Sequence, residues 1–191
     1  MKLMVQIPCY NEAGTLPEVL RDIPKSIEGI SVIEVLIIDD GSTDETVAVA
    51  RQHGVQHIVS HKANKGLARS FQSGIERCIE LGADIIVNTD GDNQYAGSSI
   101  PDLVRPIVEG KADVVIGDRQ PGRNTDFSLL KRLLQRLGSA VVRHVARVDV
   151  GDAVSGFRAY SRDAALKINV MTSFRYTTET LIHVGQQGLL V

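Results

Sequence analysis

The fold of this chain is set by the stretch Ile85-Ile86-Val87-Asn88-Thr89-Asp90-Gly91-Asp92, where an apolar run leads directly into two carboxylates separated by one glycine. The apolar run predicts a strand that is buried on both faces, as in parallel sheets. Open α/β sheets bind their ligands just outside the carboxyl ends of their strands. Asp90 and Asp92 would therefore lie where hard oxygen ligands can hold a divalent cation that grips a diphosphate.

Short β-rich runs of this kind alternate with segments of helical period along the chain. Strands are predicted near residues 3–7, 32–38, 56–60, 85–89 and 114–117. Helices are predicted near residues 15–27, 43–53, 66–81 and 99–109, with a further long helical run over about 127–147. The alternation predicts an α/β fold whose mostly parallel sheet is covered by helices on both faces. We expect one domain over residues 1–191, incomplete at its C-terminal end because residues 188–191 resemble the opening of another strand.

The composition limits the classes of function. The 191 residues carry 21 basic and 23 acidic side chains, a formal net charge of −2, so no basic surplus supports wholesale nucleic-acid binding. The only cysteines, Cys9 and Cys78, match no zinc or disulfide spacing, which favours core positions and a reducing compartment. No apolar run approaches the roughly 20 residues of a membrane span. We expect a cytoplasmic protein, at most associated with the inner face of the membrane, with its five histidines in surface or capping positions.

The first predicted strand ends in Ile7-Pro8-Cys9-Tyr10-Asn11-Glu12, which contains neither the G-x-G-x-x-G of dinucleotide-binding folds nor the G-x-x-x-x-G-K-[ST] of P-loops. An aromatic ring, an amide and a carboxylate suit a nucleoside better than a phosphate cradle. The alternative is a simple turn in which Asn11 is the N-cap of the next helix.

The second predicted strand also delivers carboxylates to this edge of the sheet. Asp39 or Asp40 could accept a hydrogen bond from a base N–H or a ribose hydroxyl, although one of them could serve only as a cap. Ser42 and Glu45 follow in the S-x-x-E spacing and predict a capping box at the start of the second helix.

Three other interpretations of Asp90 and Asp92 fit the sequence less well. A calcium loop of the D-x-[DN]-x-[DN]-G type fails because Gln94 and Tyr95 occupy its fifth and sixth places. The D-x-D-x-T pattern of haloacid dehalogenases wants a threonine where Gln94 stands, which weakens a phosphatase interpretation. Solvated acids in a turn fit poorly with the apolar strand before them and with the further oxygen donors Asn93 and Gln94.

Together the three strand ends resemble the nucleotide-binding half of family 2 inverting glycosyltransferases, whose Rossmann-like fold is called GT-A. The family patterns P-x-Y-N-E, D-D-x-S-x-D and D-x-D match residues 8–12, 39–44 and 90–92, and residues 64–68 are similar to the N-x-G-x-A segment that opens the third helix. The resemblance covers nearly the whole chain.

The resemblance is closest to the polyprenyl-phosphate branch, which includes dolichol-phosphate mannose synthases. Three later segments carry it: Gly117-Asp118-Arg119 is similar to G-S-R with an aspartate in place of serine, residues 155–160 to S-G-F-R-A, and residues 176–179 to Y-x-x-E. Gln94 also matches the D-x-D-x-Q that is typical of this branch. The implied activity is metal-dependent transfer of a sugar from a UDP- or GDP-linked donor to a polyprenyl phosphate.

The resemblance also implies roles for individual residues. The donor nucleotide would be bound by Pro8, Tyr10, Asn11, Glu12, Asp39, Asp40 and Asp90, and Mg²⁺ or Mn²⁺ by Asp90, Asp92 and Gln94. Oxygen-only ligands favour these two cations over zinc. The acceptor phosphate would be met by Arg119, Lys131, Arg132 and Arg158, with Arg119 also contributing to catalysis.

The acceptor decides whether a general base is needed. A lipid phosphate ionises a second time near pH ~6 and is mostly a dianion at neutral pH, so it needs no strong base. A sugar hydroxyl would need a carboxylate such as Asp152 or Glu179. The helix over about 128–147 is amphipathic and basic, which fits either a membrane interface holding a lipid phosphate or a core-packed helix with a solvated basic face. Transfer to a glycan hydroxyl and a non-catalytic nucleotide-binding module remain alternatives.

Overall fold

The computed structural model describes residues 1–92, 94–117, 155–168 and 176–191. Its strands are β1 (Lys2–Cys9), β2 (Val32–Asp39), β3 (His57–Ser60), β4 (Ile85–Asn88), β5 (Val114–Ile116) and β6 (Arg158–Ser161). Its α-helices are α1 (Leu16–Asp22), α2 (Thr46–Gln52), α3 (Leu67–Glu80), α4 (Ile100–Val108), α5 (Arg162–Lys167) and α6 (Tyr176–Gln186), and a 3₁₀ helix spans Gly97–Ser99.

The strands form one six-stranded sheet in the order β3-β2-β1-β4-β6-β5. β1 pairs in parallel with β2 and β4, and β2 pairs in parallel with β3. β6 lies antiparallel between β4 and β5. The prediction of a mostly parallel α/β sheet is confirmed, whereas β6 was not predicted as a strand.

The core lies on both faces of the sheet, because successive residues of each strand point to opposite sides. Leu3, Val5 and Ile7 of β1 pack with α1 and α4 on one face. Met4 packs on the other face with Phe71 of α3 and with residues of α5 and α6. Cys9 and Cys78 are free and buried, as expected of small core residues.

The capping box predicted at Ser42 and Glu45 is wrong, and Asn11 is not the N-cap of the first helix, which was the alternative interpretation of the turn after β1. α1 begins at Leu16 with Thr15 as its N-cap residue, and α2 begins at Thr46 with Glu45 as its N-cap residue, without a side-chain capping bond. Ser42 does not cap α2. Its hydroxyl instead accepts a hydrogen bond from the Asn11 N–H at 3.0 Å. The residues before each helix therefore bind each other instead of capping the helix that follows.

The predicted strand opening at the end of the chain is only partly present. The carbonyl of Leu190 accepts hydrogen bonds from the N–H groups of Asp113 and Val114 at 2.8 and 3.0 Å, so this segment lies beside the start of β5. No strand is assigned there. Within the four described ranges, no helix is both long enough and apolar enough to cross a membrane.

Candidate active site

The strand order brings three predicted clusters to one edge of the sheet. β2 lies on one side of β1 and β4 on the other, so the direction in which successive strands are added reverses between β1 and β4. Such a switch point leaves a crevice outside the carboxyl ends of the strands, where α/β proteins bind ligands. Residues that follow β1, β2 and β4 meet in this crevice.

The crevice contains a cavity of about 290 Å³. Six of the predicted site residues line it, and the other six come from β1, from the turn after β4, from the loop before α3 and from α3 itself. The lining residues are Pro8, Cys9, Tyr10, Glu12, Asp40, Asn64, Gly66, Leu67, Ser70, Asp90, Gly91 and Asp92. The predicted residues Asn11, Asp39 and Gln94 are not part of the lining. Carboxylates from β1, β2 and β4 thus share one concave site with an aromatic ring.

Side-chain hydrogen bonds fix the conformation of the turn after β1. Asn11 has a positive φ of 58°, and its side-chain oxygen accepts a hydrogen bond from the Thr43 N–H at 2.8 Å. The Asn11 side chain therefore stabilises the turn by a hydrogen bond within the protein. Tyr10 beside it keeps 46% of its surface exposed and is available to a ligand.

Asp39 and Asp40 are both buried but hold different parts of the site. Asp39 accepts a hydrogen bond from the Ser42 N–H at 2.9 Å. Asp40 accepts hydrogen bonds from the N–H groups of Lys65 and Gly66 at 2.9 and 2.8 Å, and bonds to His61 Nδ1 at 2.7 Å. Burial opposes ionisation of Asp40, but these hydrogen bonds outweigh it and hold its pKa below the usual value. The Asp40 carboxylate therefore fixes the loop that lines the cavity.

His61 corrects the expectation of a surface or capping histidine. Its side chain is 6% exposed, and its Nε2 lies 3.1 Å from the Ser73 hydroxyl of α3. It thus joins the end of β2 to α3. The position of this contact depends on how α3 packs, so no local pattern around His61 predicted it.

Asp92 and Gln94 are close neighbours in the turn after β4. Asp92 accepts hydrogen bonds from the Gln94 backbone N–H at 3.1 Å and from its side-chain amide at 2.7 Å. Gly91 between the two aspartates packs closely on β1, because a Cβ there would lie 3.1 Å from Cys9 Sγ and 3.3 Å from Glu12 Cγ. Close packing of this glycine holds both carboxylates against the end of β1.

The donor set of the site suits a hard cation. Asp90, Asp92 and Gln94 offer only oxygen ligands, and Mg²⁺ is commonly held by one or two carboxylates together with substrate phosphates. Among the described residues, no group of three or more His, Cys, Asp or Glu side chains is placed to hold a metal by itself. The two aspartates fit a cation whose remaining ligands come from a diphosphate and water.

A buried polar chain beneath Asp90 was not predicted. Gln6 Nε2 donates to Asn88 Oδ1 at 2.9 Å, and Asn88 Nδ2 donates to the Gly156 carbonyl at 2.9 Å. A Cβ on Gly156 would lie 3.3 Å from an Asp90 oxygen and 3.1 Å from the Tyr176 hydroxyl. The signal for this chain was present in the sequence, since Gln6 and Asn88 are polar residues inside otherwise apolar strands.

Tyr176 and Tyr95 hold the segment around Gly156 from two sides. The Tyr176 ring stacks on Phe71 with centroids 4.4 Å apart. Burial and, less strongly, the Asp90 charge raise the pKa of Tyr176 well above its usual value, so it stays protonated. The Tyr95 ring stacks on Phe157 at 5.0 Å, and the Tyr95 hydroxyl oxygen accepts a hydrogen bond from the Gly156 N–H at 3.3 Å.

Arg158 was predicted to bind the acceptor, and the structure contradicts this. Its side chain is completely buried. The guanidinium donates to the carbonyls of Ser155 and Thr177 and to the Thr180 hydroxyl, each at 2.8 Å. Arg158 therefore ties β6 to α6. Its hydrogen bonds satisfy backbone and hydroxyl oxygens of the protein instead of a ligand.

The remaining acceptor-side predictions are only partly covered. Glu179 lies in the first turns of α6 and is partly exposed. Arg119, Lys131, Arg132 and Asp152 and the predicted basic helix over 128–147 lie outside the described residues, as does Asn93.

The chain was compared with known families and proteins. The profile of "Glycosyl transferase family 2" matches residues 4–168. A dolichol-phosphate mannosyltransferase from Pyrococcus furiosus is 29% identical over 95% of this chain and 53% of its own length. A UDP-N-acetylglucosamine–dolichyl-phosphate N-acetylglucosaminyltransferase from Methanococcus voltae is 27% identical over 85% of this chain and 70% of its own length.

Solved structures show the same fold. Glucosyl-3-phosphoglycerate synthase from Mycobacterium tuberculosis, in complex with Mn²⁺, UDP and glucosyl-3-phosphoglycerate, superposes with a TM-score of 0.77 at 21% identity. The match covers 97% of this chain and 66% of that enzyme, so the chain spans about two thirds of its length. The predicted GT-A fold is confirmed by this likeness. The profile match over residues 4–168 shows that the chain belongs to glycosyl transferase family 2.

Proposed function

We propose that this protein transfers a sugar, with inversion, from a UDP- or GDP-linked donor to a polyprenyl phosphate, and that it uses Mg²⁺ or Mn²⁺. One observation carries the proposal: a single cavity at the switch point between β1 and β4 unites Tyr10 and Glu12 with Asp90 and Asp92. Relatives that are named for transfer to dolichyl phosphates support the acceptor. The Mn²⁺ and UDP bound to the structural neighbour support the donor and the cation.

The nucleoside would bind at the ends of β1 and β2. The half-exposed ring of Tyr10 offers a flat apolar surface, and aromatic rings stack well on other flat ring systems. Asp39, the last residue of β2, would accept a hydrogen bond from the base or the ribose, and Glu12 would accept one from the ribose. Pro8 shapes the wall between them. Asn11 and Asp40 contribute by fixing the two loops of the site, through the hydrogen bonds of their side chains to the backbone.

The diphosphate would lie over the turn after β4. Asp90 and Asp92, with Gln94 beside Asp92, would hold the cation; when bound, it supplies Lewis-acid stabilisation of the charge that develops on the departing nucleoside diphosphate. Thr15 helps to fix this turn, because its hydroxyl contacts both the Gly91 carbonyl and a Glu12 carboxylate oxygen at 2.8 Å. A rigid turn keeps both carboxylates in place before the donor arrives.

The acceptor would be met by basic side chains of residues 118–154. The phosphate of a polyprenyl phosphate is mostly a dianion at neutral pH, so it can attack the sugar without a general base. Arg119, Lys131 and Arg132 are the candidates to neutralise it, and Arg119 would also act in catalysis. The basic helix predicted over about 128–147 would contact the membrane surface. Should the acceptor be a glycan hydroxyl instead, Asp152 or Glu179 would have to take its proton.

A thermal-shift panel followed by a transfer assay tests the proposal. UDP, GDP, CDP and ADP are each added with and without Mn²⁺, since a ligand that binds the native state raises its stability. We expect a shift for UDP or GDP that requires the cation. The corresponding nucleotide sugar is then incubated with a polyprenyl phosphate or with soluble glycans. Transfer to glycans alone would contradict the acceptor, and nucleotide binding without transfer to any acceptor would indicate a non-catalytic binding module.

A further inference from the structure

The cavity contains a buried polar group that the proposed function does not use. Ser70 of α3 lines the cavity, its residue surface is 1% exposed, and its hydroxyl has no hydrogen-bond partner among the described residues. Serine hydroxyls inside helices usually bond to a backbone carbonyl one turn earlier. Here the Gly66 carbonyl one turn earlier accepts the backbone N–H groups of Arg69 and Ser70, both at 3.1 Å.

An unpartnered buried hydroxyl destabilises the folded chain, because it loses its water without gaining another partner. Alanine would fill the same place in α3 at no such cost and with a higher helix propensity. Packing therefore gives no reason for serine at this position. A serine in the wall of a ligand cavity has a reason to be there when the ligand completes the hydrogen bonds of its hydroxyl.

The position of Ser70 in the cavity identifies the part of the ligand that it would meet. Asp90 and Asp92 follow β4, on one side of β1, whereas α3 packs mainly against β1 and β2. The cavity therefore extends from the carboxylates of the β4 turn towards α3. When the diphosphate of the donor lies over the turn after β4, the nucleobase of the donor lies at the other end of the cavity, beside α3.

The surroundings of Ser70 fit a flat, mostly apolar ring with a polar edge. Leu67, one turn before Ser70, is 49% exposed, and Tyr10 across the cavity is 46% exposed. Both side chains line the cavity. The loop before α3 is held in place by the Asp40 carboxylate, which accepts from the N–H groups of Lys65 and Gly66. The α3 wall is thus preorganised relative to the sheet.

We propose that Ser70 is a specificity-determining residue whose hydroxyl hydrogen-bonds the nucleobase of the donor, which packs between Tyr10 and Leu67. The proposal rests on the nucleotide-sugar donor proposed above. A hydroxyl can both donate and accept, so it can serve the polar edge of any base. Ser70 then contributes to how strongly one base is preferred over another.

Ser70→Ala tests the proposal, because it predicts two changes of opposite sign. Without ligand, the variant should melt about 2–4 °C higher than the wild type, since an unsatisfied buried hydroxyl is removed. Its affinity for the preferred nucleoside diphosphate in Mn²⁺ should fall about three- to tenfold, the loss of one hydrogen bond. Its affinity for inorganic pyrophosphate in Mn²⁺ should stay unchanged, because pyrophosphate has no base. Exposed Ser98→Ala is the matched control and should change none of the three.

Each outcome decides the proposal. A wild-type protein that binds a nucleoside diphosphate, with a Ser70→Ala variant of the same affinity, would overturn the role of Ser70 and leave the proposed function standing. An equal loss of affinity for pyrophosphate would mean that Ser70 acts on the shape of the whole site. This result would also overturn the proposed contact between Ser70 and the nucleobase. A wild-type protein that binds no nucleoside diphosphate would overturn both. Leu67→Ala should weaken all base-containing ligands, again without affecting pyrophosphate.

Discussion

Asn88 at the end of β4 donates a hydrogen bond from its side-chain amide to the carbonyl of Gly156 at 2.9 Å. This bond crosses 68 residues of sequence and attaches the segment before β6 to the strand that carries Asp90. The side-chain oxygen of Asn88 accepts a hydrogen bond from the side-chain amide of Gln6 in β1 at 2.9 Å. Asn88 therefore connects the two central strands to the segment that packs on the Asp90 carboxylate.

Asn88→Leu should destabilise the protein strongly. The change leaves the Gln6 amide and the Gly156 carbonyl buried without their partner, which lowers the free energy of unfolding by about 2–5 kcal/mol. Urea unfolding measures this loss. In the double variant Gln6→Met/Asn88→Leu both polar side chains are gone, so the loss should be smaller than the sum of the two single losses. Strict additivity would contradict the coupling of Gln6 and Asn88.

Asp92→Ala should remove metal-dependent nucleotide binding while leaving the fold intact. Asp92 is exposed and bonds only to Gln94 among the described residues, so its loss should change the unliganded melting temperature little. For the wild type, nucleotide at 100 times its dissociation constant in Mn²⁺ adds about 2.7 kcal/mol of stability. The variant should show none of this increment in the same thermal-shift measurement.

The control for this change is Asp102→Ala, which removes an exposed carboxylate of α4 that pairs with Arg105 and does not line the cavity. It should keep the full nucleotide shift. Wild-type nucleotide affinity of Asp92→Ala in Mn²⁺ would mean that the cation, if bound, is not held by this carboxylate.

Asp40 should make stability depend on acid pH. Its folded-state pKa lies below the ordinary value of 3.8, so the unfolded state binds the proton more tightly. The stabilisation is therefore fully present above about pH 4 and is lost as the pH falls through the folded-state pKa. The free energy of unfolding, measured at several pH values from pH 5 downwards, gives the slope of stability against pH. Asp40→Asn should flatten it, and an unchanged slope would assign the effect to other carboxylates such as Glu34, whose pKa is also lowered.

The parallel part of the fold was predictable because each of its strands carries its own local signal. β1, β2 and β4 are mostly apolar runs, and their carboxyl ends must meet at one edge of the sheet. For this reason Pro8, Tyr10 and Glu12 could be placed with Asp90 and Asp92 in one site before any coordinates were known.

The parts that were missed depend on contacts between distant residues. β6 contains a buried arginine and becomes a strand only by pairing antiparallel with β4 and β5, with Tyr160 opposite both Ile86 and Val114. The same arginine, Arg158, was assigned to the acceptor by the family resemblance, whereas its hydrogen bonds go to Ser155 and to residues of α6. His61 and Ser70 acquire their roles only when α3 packs on the sheet. Local pattern carries no information on such contacts.

Gly156→Ala should impair both folding and the metal-bound state. The new methyl group would lie 3.1 Å from the Tyr176 hydroxyl and 3.3 and 3.4 Å from the two Asp90 oxygens, which is too close unless these groups move by a few tenths of an ångström. We expect a stability loss of about 1–2 kcal/mol from overpacking. The affinity for the preferred nucleotide in Mn²⁺ should fall about three- to tenfold, because the displaced carboxylate no longer suits the cation.

Calorimetric titration of the nucleotide with and without Mn²⁺ separates these effects, since only the metal-dependent part of the affinity should change. Gly14→Ala is the matched control, because a Cβ on Gly14 meets no atom within 4 Å. If Gly156→Ala bound the nucleotide in Mn²⁺ as tightly as Gly14→Ala does, the Asp90 carboxylate would tolerate displacement, and the buried chain from Gln6 through Asn88 to Gly156 would serve stability alone.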